Sequence, residues 1–266
     1  MQTERSIMKP TAELISIGNE LLSGRTLNTH GRDLGAALFS IGIDLKRDTS
    51  IGDDIDLIKS VAQEALKRTP ILFISGGLGP TVDDITRDAL ADLFNRAIQE
   101  HTPTANYLEE WYQRRGRKLN AIGLRQALIL EEATVLPNPI GAAPAQRIDL
   151  PENKRCYLLP GPPNEFNAII EKSILPELKN QYAHLIPKLI RSIHTRGIGE
   201  SDIVERMQLQ GLSIPKGIEP GFYPAQGRVE IRLTAEANIE NELEHYYTHL
   251  LKLFSDWLEP PEERSD

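Results

Sequence analysis

The 266-residue chain contains one cysteine, Cys156. A lone thiol closes no intrachain disulfide and builds no cysteine zinc site, so a reducing, cytoplasmic setting is expected, with Cys156 a buried core residue. Long apolar runs are also missing. None approaches the roughly 20 residues that span a bilayer, and no membrane partner is expected. The opening "MQTERSIMKP" mixes acid and base without an apolar stretch, which predicts a disordered lead over 1–10. Positive charge is scarce as well: 30 Lys and Arg face 38 Asp and Glu, for a net charge of −8. With no basic patch set apart, nucleic acid is excluded as a partner. Three catalytic fingerprints are missing too: G-x-x-x-x-G-K-[ST], H-E-x-x-H and G-x-S-x-G.

What the chain does have is a strict alternation of short apolar runs and amphipathic stretches. "AELISI", "IDLKRDTSI" and "PILFIS" read as strands, separated by helical patterns in "LNTHGRDLGAALFSIG", "DIDLIKSVAQEALKR" and "ITRDALADLFNRA". This order predicts right-handed crossovers and a mainly parallel sheet covered on both faces. Two further helices are expected in "PTANYLEEWYQRRG" and "NAIGLRQALIL", then strands in "ATVLPN", "AAPAQRIDL" and "KRCYLLPG", and closing helices in "PPNEFNAIIEKSILPELKNQ". From about Tyr182 to Pro187 the pattern changes. Residues 186–258 read as a small α+β unit with 8 Lys and Arg against 10 Asp and Glu, followed by a tail at 259–266.

The densest signal is "SGGLGPTVDD", residues 75–84, between a buried strand and a helix. Ligands of open parallel sheets sit beyond the carboxyl ends of strands. Gly76, Gly77 and Gly79 are expected to take positive φ and admit a phosphate, with Thr81 and the turn amides holding it. The string is not G-x-G-x-x-G, because Val82 fills the last position. Asp83 and Asp84 would repel a phosphate unless a cation lay between, which points to a divalent metal taking one or two carboxylates plus phosphate oxygens. Helix capping is the other reading of both. Further polar groups are expected at the same sheet edge: Glu20 and Asn28 in "GNELLSGRTLNTH", Asp53 in "GDD", and Gly161, Asn164 and Glu165 in "LPGPPNEF".

The strings "ISIGNELLSGRTLNTHGRDLGAALFSIGIDL", "IGDD", "ISGGLGPTVDDITRDAL", "LLPGPPNEF", "RGIGESDIVERM" and "GFYPAQGRVEIRLTA" resemble the molybdopterin-binding fold of MogA, MoaB and MoeA proteins. They resemble more closely the N-terminal part of CinA-type competence/damage-inducible proteins. The resemblance implies a three-layer, mainly parallel α/β domain over 11–185 and a KH-like second domain over 186–258. It further implies a homodimer and ADP-ribose pyrophosphatase activity with a divalent metal (magnesium, manganese or cobalt). It places Asp84, with Asp83 and Glu20, in catalysis and Asp84, Asp53 and Glu20 at the metal. The deamidase signature E-S-C-T-G-G of longer CinA proteins has no counterpart, so that domain is expected to be absent.

The leading expectation is therefore a metal-dependent hydrolase of ADP-ribose or a similar nucleotide. The alternatives are a pterin-phosphate binding or transfer protein, or a non-catalytic nucleotide-binding module. Asp84→Asn is expected to abolish turnover with little loss of stability. His245 and His249 read as surface or packing residues without a third ligand, and no histidine has an evident serine partner. Tyr107, Trp111 and Tyr112 read as helix packing rather than stacking surfaces. The KH-like unit is expected not to bind RNA, since Gly197 to Glu200 lacks a basic clamp. Apolar helix positions Leu243, Tyr246, Tyr247, Leu250, Leu251 and Phe254 exceed what so thin a unit is expected to bury, which points to a dimer surface or the rim of the site.

Overall fold

A computed structural model describes residues 9–260, and its chain folds as two units that divide between Leu185 and Ile186. The expected lead and tail lie largely outside the described residues. Where they overlap them the expectation fails: Pro10 and Glu259 are both buried. Glu259 donates its backbone N–H to the His194 carbonyl at 2.8 Å, and its carboxylate pairs with Arg228 at 2.8 Å.

The first unit runs β1 (Thr11–Ile17), α1 (Asn19–Leu22), α2 (His30–Phe39), β2 (Asp44–Ile51), α3 (Ile55–Arg68), β3 (Ile71–Ser75), α4 (Thr86–Phe94), β4 (Ile98–Glu100) and α5 (Thr102–Gln113). It continues with α6 (Ala121–Leu124), β5 (Leu128–Leu130), β6 (Thr134–Leu136), β7 (Ala145–Leu150), β8 (Lys154–Leu159), α7 (Pro163–Ile169) and α8 (Leu175–Gln181). Six strands form one sheet in the order β2-β1-β3-β8-β7-β6. The pairs among β2, β1, β3 and β8 are parallel, whereas β7 runs antiparallel to β8 and to β6.

The mainly parallel three-layer α/β fold follows from strands that bury both faces. Leu14, Phe73 and Tyr157 face α2 and α7 through Leu34, Leu38 and Phe166. Ile15, Leu72 and Leu158 face α3 and α4 through Ile58, Ala62 and Leu90. Cys156 is fully buried in this second layer, and burial pushes its thiol well above its ordinary value.

One expected helix is shorter than its pattern. "NAIGLRQALIL" leaves the α-helix at Leu124, and Leu128–Leu130 becomes β5, paired antiparallel with the unanticipated β4. A short buried apolar run carries no period that separates helix from strand. Here Gln146 settles it, its Oε1 accepting from the Leu130 N–H at 2.8 Å.

The second unit contains β9 (Leu189–Arg196), α9 (Glu200–Leu209), β10 (Ile218–Ala225), β11 (Arg228–Ala235) and α10 (Glu240–Leu253), with an antiparallel sheet in the order β10-β11-β9. β11 alternates half-buried and buried residues, and its inner face meets α10. Leu243, Tyr246, Leu250 and Phe254 are buried within this unit's own core. Tyr247 and Leu251, the other two positions named, are half-buried and pack against that core. Among the described residues no helix is long and apolar enough to cross a membrane.

At the amino end of β1, buried Glu13 accepts from Arg68 Nε at 3.0 Å and Nη2 at 2.8 Å. Arg68→Met leaves the buried carboxylate with only Arg47, at 4.0 Å, and we expect a loss of about 2 kcal/mol in urea unfolding. Ligand affinity at the opposite sheet edge should be unchanged.

Candidate functional site

A cleft of about 640 Å³ lies beyond the carboxyl ends of β1, β3 and β8. Strand order reverses between β1 and β3, since β2 and β3 lie on opposite sides of β1. An open α/β sheet leaves its crevice at such a point. Gly76, Gly77 and Gly79 line the cleft with Asp83 and Asp84; Glu20 and Asp53 approach from the β1 and β2 ends, Gly161 and Glu165 from the β8 end. Three other expected residues sit elsewhere. Thr81 bonds to the turn's own carboxylates, Asn164 is exposed outside the cleft lining, and Asn28 lines a smaller adjoining cavity. Asn28 accepts from the His30 N–H at 3.1 Å and donates to Ser50 at 3.2 Å, so it organises the start of α2.

The turn itself differs from expectation in three ways. Positive φ occurs at Gly76 (102°) and Gly77 (66°) only. Gly79 is required for space, because a Cβ there would lie 2.5 Å from Asp84 Oδ2. Two of the amides meant for a phosphate are already engaged: Gly76 N–H donates to the Leu159 carbonyl at 3.1 Å, and Gly79 N–H to Asp84 Oδ1 at 2.7 Å. Third, neither aspartate caps α4 with its side chain. Asp84 turns back instead, and its Oδ2 also accepts from Thr81 N–H and Thr81 Oγ1, each at 2.7 Å. Asp83 also accepts from the Thr81 hydroxyl, which holds its exposed carboxyl below the usual range.

Behind the turn stands Arg87, a residue that its place in "ITRDAL" does not reveal. It is buried, and it donates from Nη1 to the Leu78 carbonyl at 2.8 Å and from Nη2 to the Gly79 carbonyl at 3.1 Å. Burial lowers its pKa, against the pull of Asp84 and Asp88. Arg125 Nη1 reaches the Thr81 carbonyl at 3.2 Å. On the far wall, Trp111 and Tyr112 line the cleft beside Arg117. As expected they pack, against Leu108, Ala127 and Ala142, and Tyr107 likewise is a packing residue that donates to the Gly141 carbonyl at 3.0 Å. Glu165 is held by buried Asn138, whose Nδ2 donates to it at 2.6 Å.

The residues expected at a metal, Glu20, Asp53 and Asp84, share the cleft. Among the described residues, however, no three acidic, histidine or cysteine groups gather as a ligand cluster. Asp53 accepts the Asn19 N–H at 2.9 Å, and Asp84 is committed to the turn. Glu20, Asp53, Asp83, Asp84 and Glu165 nevertheless face a single lining cation, Arg117. This set fits a divalent ion completed by a ligand's oxygens and by water. It does not fit a cage built by the protein alone. His245 and His249 are exposed and belong to no such cluster.

A serine partner for a histidine does exist, contrary to expectation. His30 Nδ1 lies 2.9 Å from Ser75 Oγ, and its ring stacks on Phe166 at 4.2 Å. Ser75 is buried, so it serves the scaffold and is not placed as a nucleophile. Burial lowers the His30 pKa, with Asp33 and the Gly161 carbonyl opposing.

Two outcomes follow from this geometry. Asp84→Asn puts an amide NH2 where one carboxylate oxygen accepts hydrogen bonds, so it should cost about 1 to 3 kcal/mol in urea unfolding. That reverses the expectation of little loss. His30 stays neutral in the fold below its ordinary value of 6.5, while the unfolded chain takes up a proton there. Its contribution is complete above that value and is lost as pH falls below it. His30→Phe should flatten the slope of stability against pH below about 6.5.

Comparison with known proteins agrees with this architecture. The family described as "Probable molybdopterin binding domain" matches residues 13–180. A CinA-like protein of Kosmotoga olearia is 38% identical over 230 residues, 85% of this chain and 54% of that protein. One of Deinococcus deserti is 34% identical over 227 residues, 85% of this chain and 55% of that protein. The crystal structure of the protein CinA, of unknown function, from Thermoplasma acidophilum superposes with a TM-score of 0.56 at 30% identity, covering 61% of this chain and 95% of that one. The chain spans about half the length of the curated relatives it matches, their N-terminal part. It belongs to the molybdopterin-binding-domain family, in its CinA-like branch.

Proposed function

We propose that the cleft binds a phosphorylated heteroaromatic small molecule, with a pterin phosphate of the molybdopterin type as the leading reading. The observation that carries it is the pairing of a glycine turn and an aromatic wall, Trp111 and Tyr112, across one cleft at the sheet's crossover point. The turn suits the phosphate end. Tyr112, and the Trp111 face not covered by the Arg115 guanidinium that lies 3.6 Å from that ring's centroid, suit a flat ring by stacking. Family membership supports the pterin over other rings of that shape.

Hydrolysis of ADP-ribose or a similar dinucleotide is the second reading. It is favoured by the crowding of five carboxylates against one guanidinium, an arrangement that suits a cation-bridged pyrophosphate. When bound, a divalent ion would offset phosphate charge and lower the pKa of water. Glu20 and Asp83 are the exposed carboxylates that could take a proton from that water, while the turn orients the phosphates and Trp111 and Tyr112 hold the ring.

Calorimetry with a pterin phosphate, and chromatography of ADP-ribose incubated with magnesium, manganese or cobalt, separate the two. Pterin binding without turnover supports the first; metal-dependent release of AMP and ribose phosphate supports the second. If wild-type chain neither binds nor cleaves, both are wrong. For whichever ligand binds, Trp111→Ala should weaken affinity about tenfold, the worth of one stacked ring.

A further inference from the structure

We propose that the Asp84 carboxylate occupies the phosphoryl-oxygen position of the glycine turn, and that a phosphorylated ligand is seated by exchanging with it. The inference rests on the reading of the cleft as a phosphate site and names how that site is kept when empty.

Two backbone donors and a hydroxyl shared with Asp83 converge on one carboxylate: Gly79 N–H on Oδ1, and Thr81 N–H and Oγ1 on Oδ2, all at 2.7 Å. Successive backbone N–H groups with a hydroxyl beside them are the donors that proteins aim at phosphoryl oxygens. The donors do not owe their direction to Asp84. Buried Arg87 fixes the Leu78 carbonyl, whose peptide carries the Gly79 N–H, and Arg125 Nη1 meets the Pro80 carbonyl, whose peptide carries the Thr81 N–H, at 3.4 Å. In a trans peptide the N–H points opposite to the C=O. With Leu78 C=O held toward Arg87, the Gly79 N–H must face the other way. Removing the carboxylate leaves that donor in place and without a partner.

The occupant is also loosely held. Thr81 Oγ1 has one proton and two carboxylates within bonding distance, Asp83 and Asp84, so only one of them receives it. Asp84 is half-exposed, so its charge can move into water without crossing the core. The missing Cβ of Gly79 is what makes room for an oxygen there, since Asp84 Oδ2 lies 2.5 Å from that position. Exchange would release the Asp84 carboxylate toward the cleft, where a cation accompanying the phosphate needs a ligand. This joins the expected metal role of Asp84 to its observed place in the turn.

The test is calorimetry of inorganic pyrophosphate in EDTA with intact wild-type chain, Asp84→Ala, Asp83→Ala and the double variant Asp84→Ala with Thr81→Val. Asp84→Ala should bind at least about tenfold tighter than wild type, the worth of roughly one hydrogen bond to a charged group. Asp83→Ala removes the same charge without freeing the amides and should gain about threefold or less. Thr81→Val should cancel part of the gain. An Asp84→Ala chain that binds no tighter, or an equal gain in Asp83→Ala, overturns the proposal. If Asp84→Ala does not fold, Thr81→Val alone decides: weaker binding of magnesium pyrophosphate supports the exchange, and unchanged binding contradicts it. Failure of the cleft reading is seen separately, as wild-type chain that binds neither pterin phosphate nor ADP-ribose with magnesium; exchange that fails in a wild-type chain that does bind them leaves that reading intact.

Discussion

The site depends on one peptide group, Leu78–Gly79, gripped from both sides. Its carbonyl faces a buried guanidinium and its N–H faces a carboxylate. A peptide plane has no torsional freedom of its own, so holding its two ends fixes the direction of the whole turn. The next residue, Pro80, has no N–H to satisfy and fixes its own φ, which keeps the following donors at Thr81 in register. Arg87 thereby places a positive charge under an otherwise acidic cleft. Asp84, whose charge pulls against the burial of Arg87, bonds to the N–H end of the same peptide.

That clamp explains why the acidic pair was half-legible. "GGLGPTVDD" marks a strand-to-helix turn at a sheet edge, and the cleft lies there. Spacing alone does not say which way a carboxylate swings: the N-cap position of α4 is Ile85, and the Asp84 carboxylate meets the donors of Gly79 and Thr81 instead. Likewise "GDD" signalled a helix start, but the cap is Asp54, whose Oδ1 accepts the Leu57 N–H, while Asp53 reaches back to Asn19. Arg87 left no signal, because a basic residue in the first turn of an amphipathic helix reads as solvent-facing.

The fold was more legible than the site, for a physical reason. Buried parallel strands and amphipathic helices are set by periodicity, which survives in a single sequence. β4 and β5 were missed because three-residue strands have no period, and their pairing depends on Gln146 from a distant strand. Trp111 and Tyr112 do pack against Leu108 and Ala142, and what the pattern did not give is the cleft beside them. In the second unit the apolar stripe of α10 was visible, but its destination was not: β11 offers Val229, Ile231 and Leu233 to cover it.

The central claim is that the Gly79 and Thr81 amides face Asp84 in the free chain and the ligand's phosphate in the bound one. Amide nitrogen–proton correlation spectra recorded while a binding phosphate ligand is titrated with magnesium test it most directly. The account predicts that the Gly79 and Thr81 resonances move together, with the same midpoint as binding, and that the Asp84 side-chain carboxyl carbon shifts with them. Saturation of the cleft while those two amides and that carboxyl stay unmoved would contradict it.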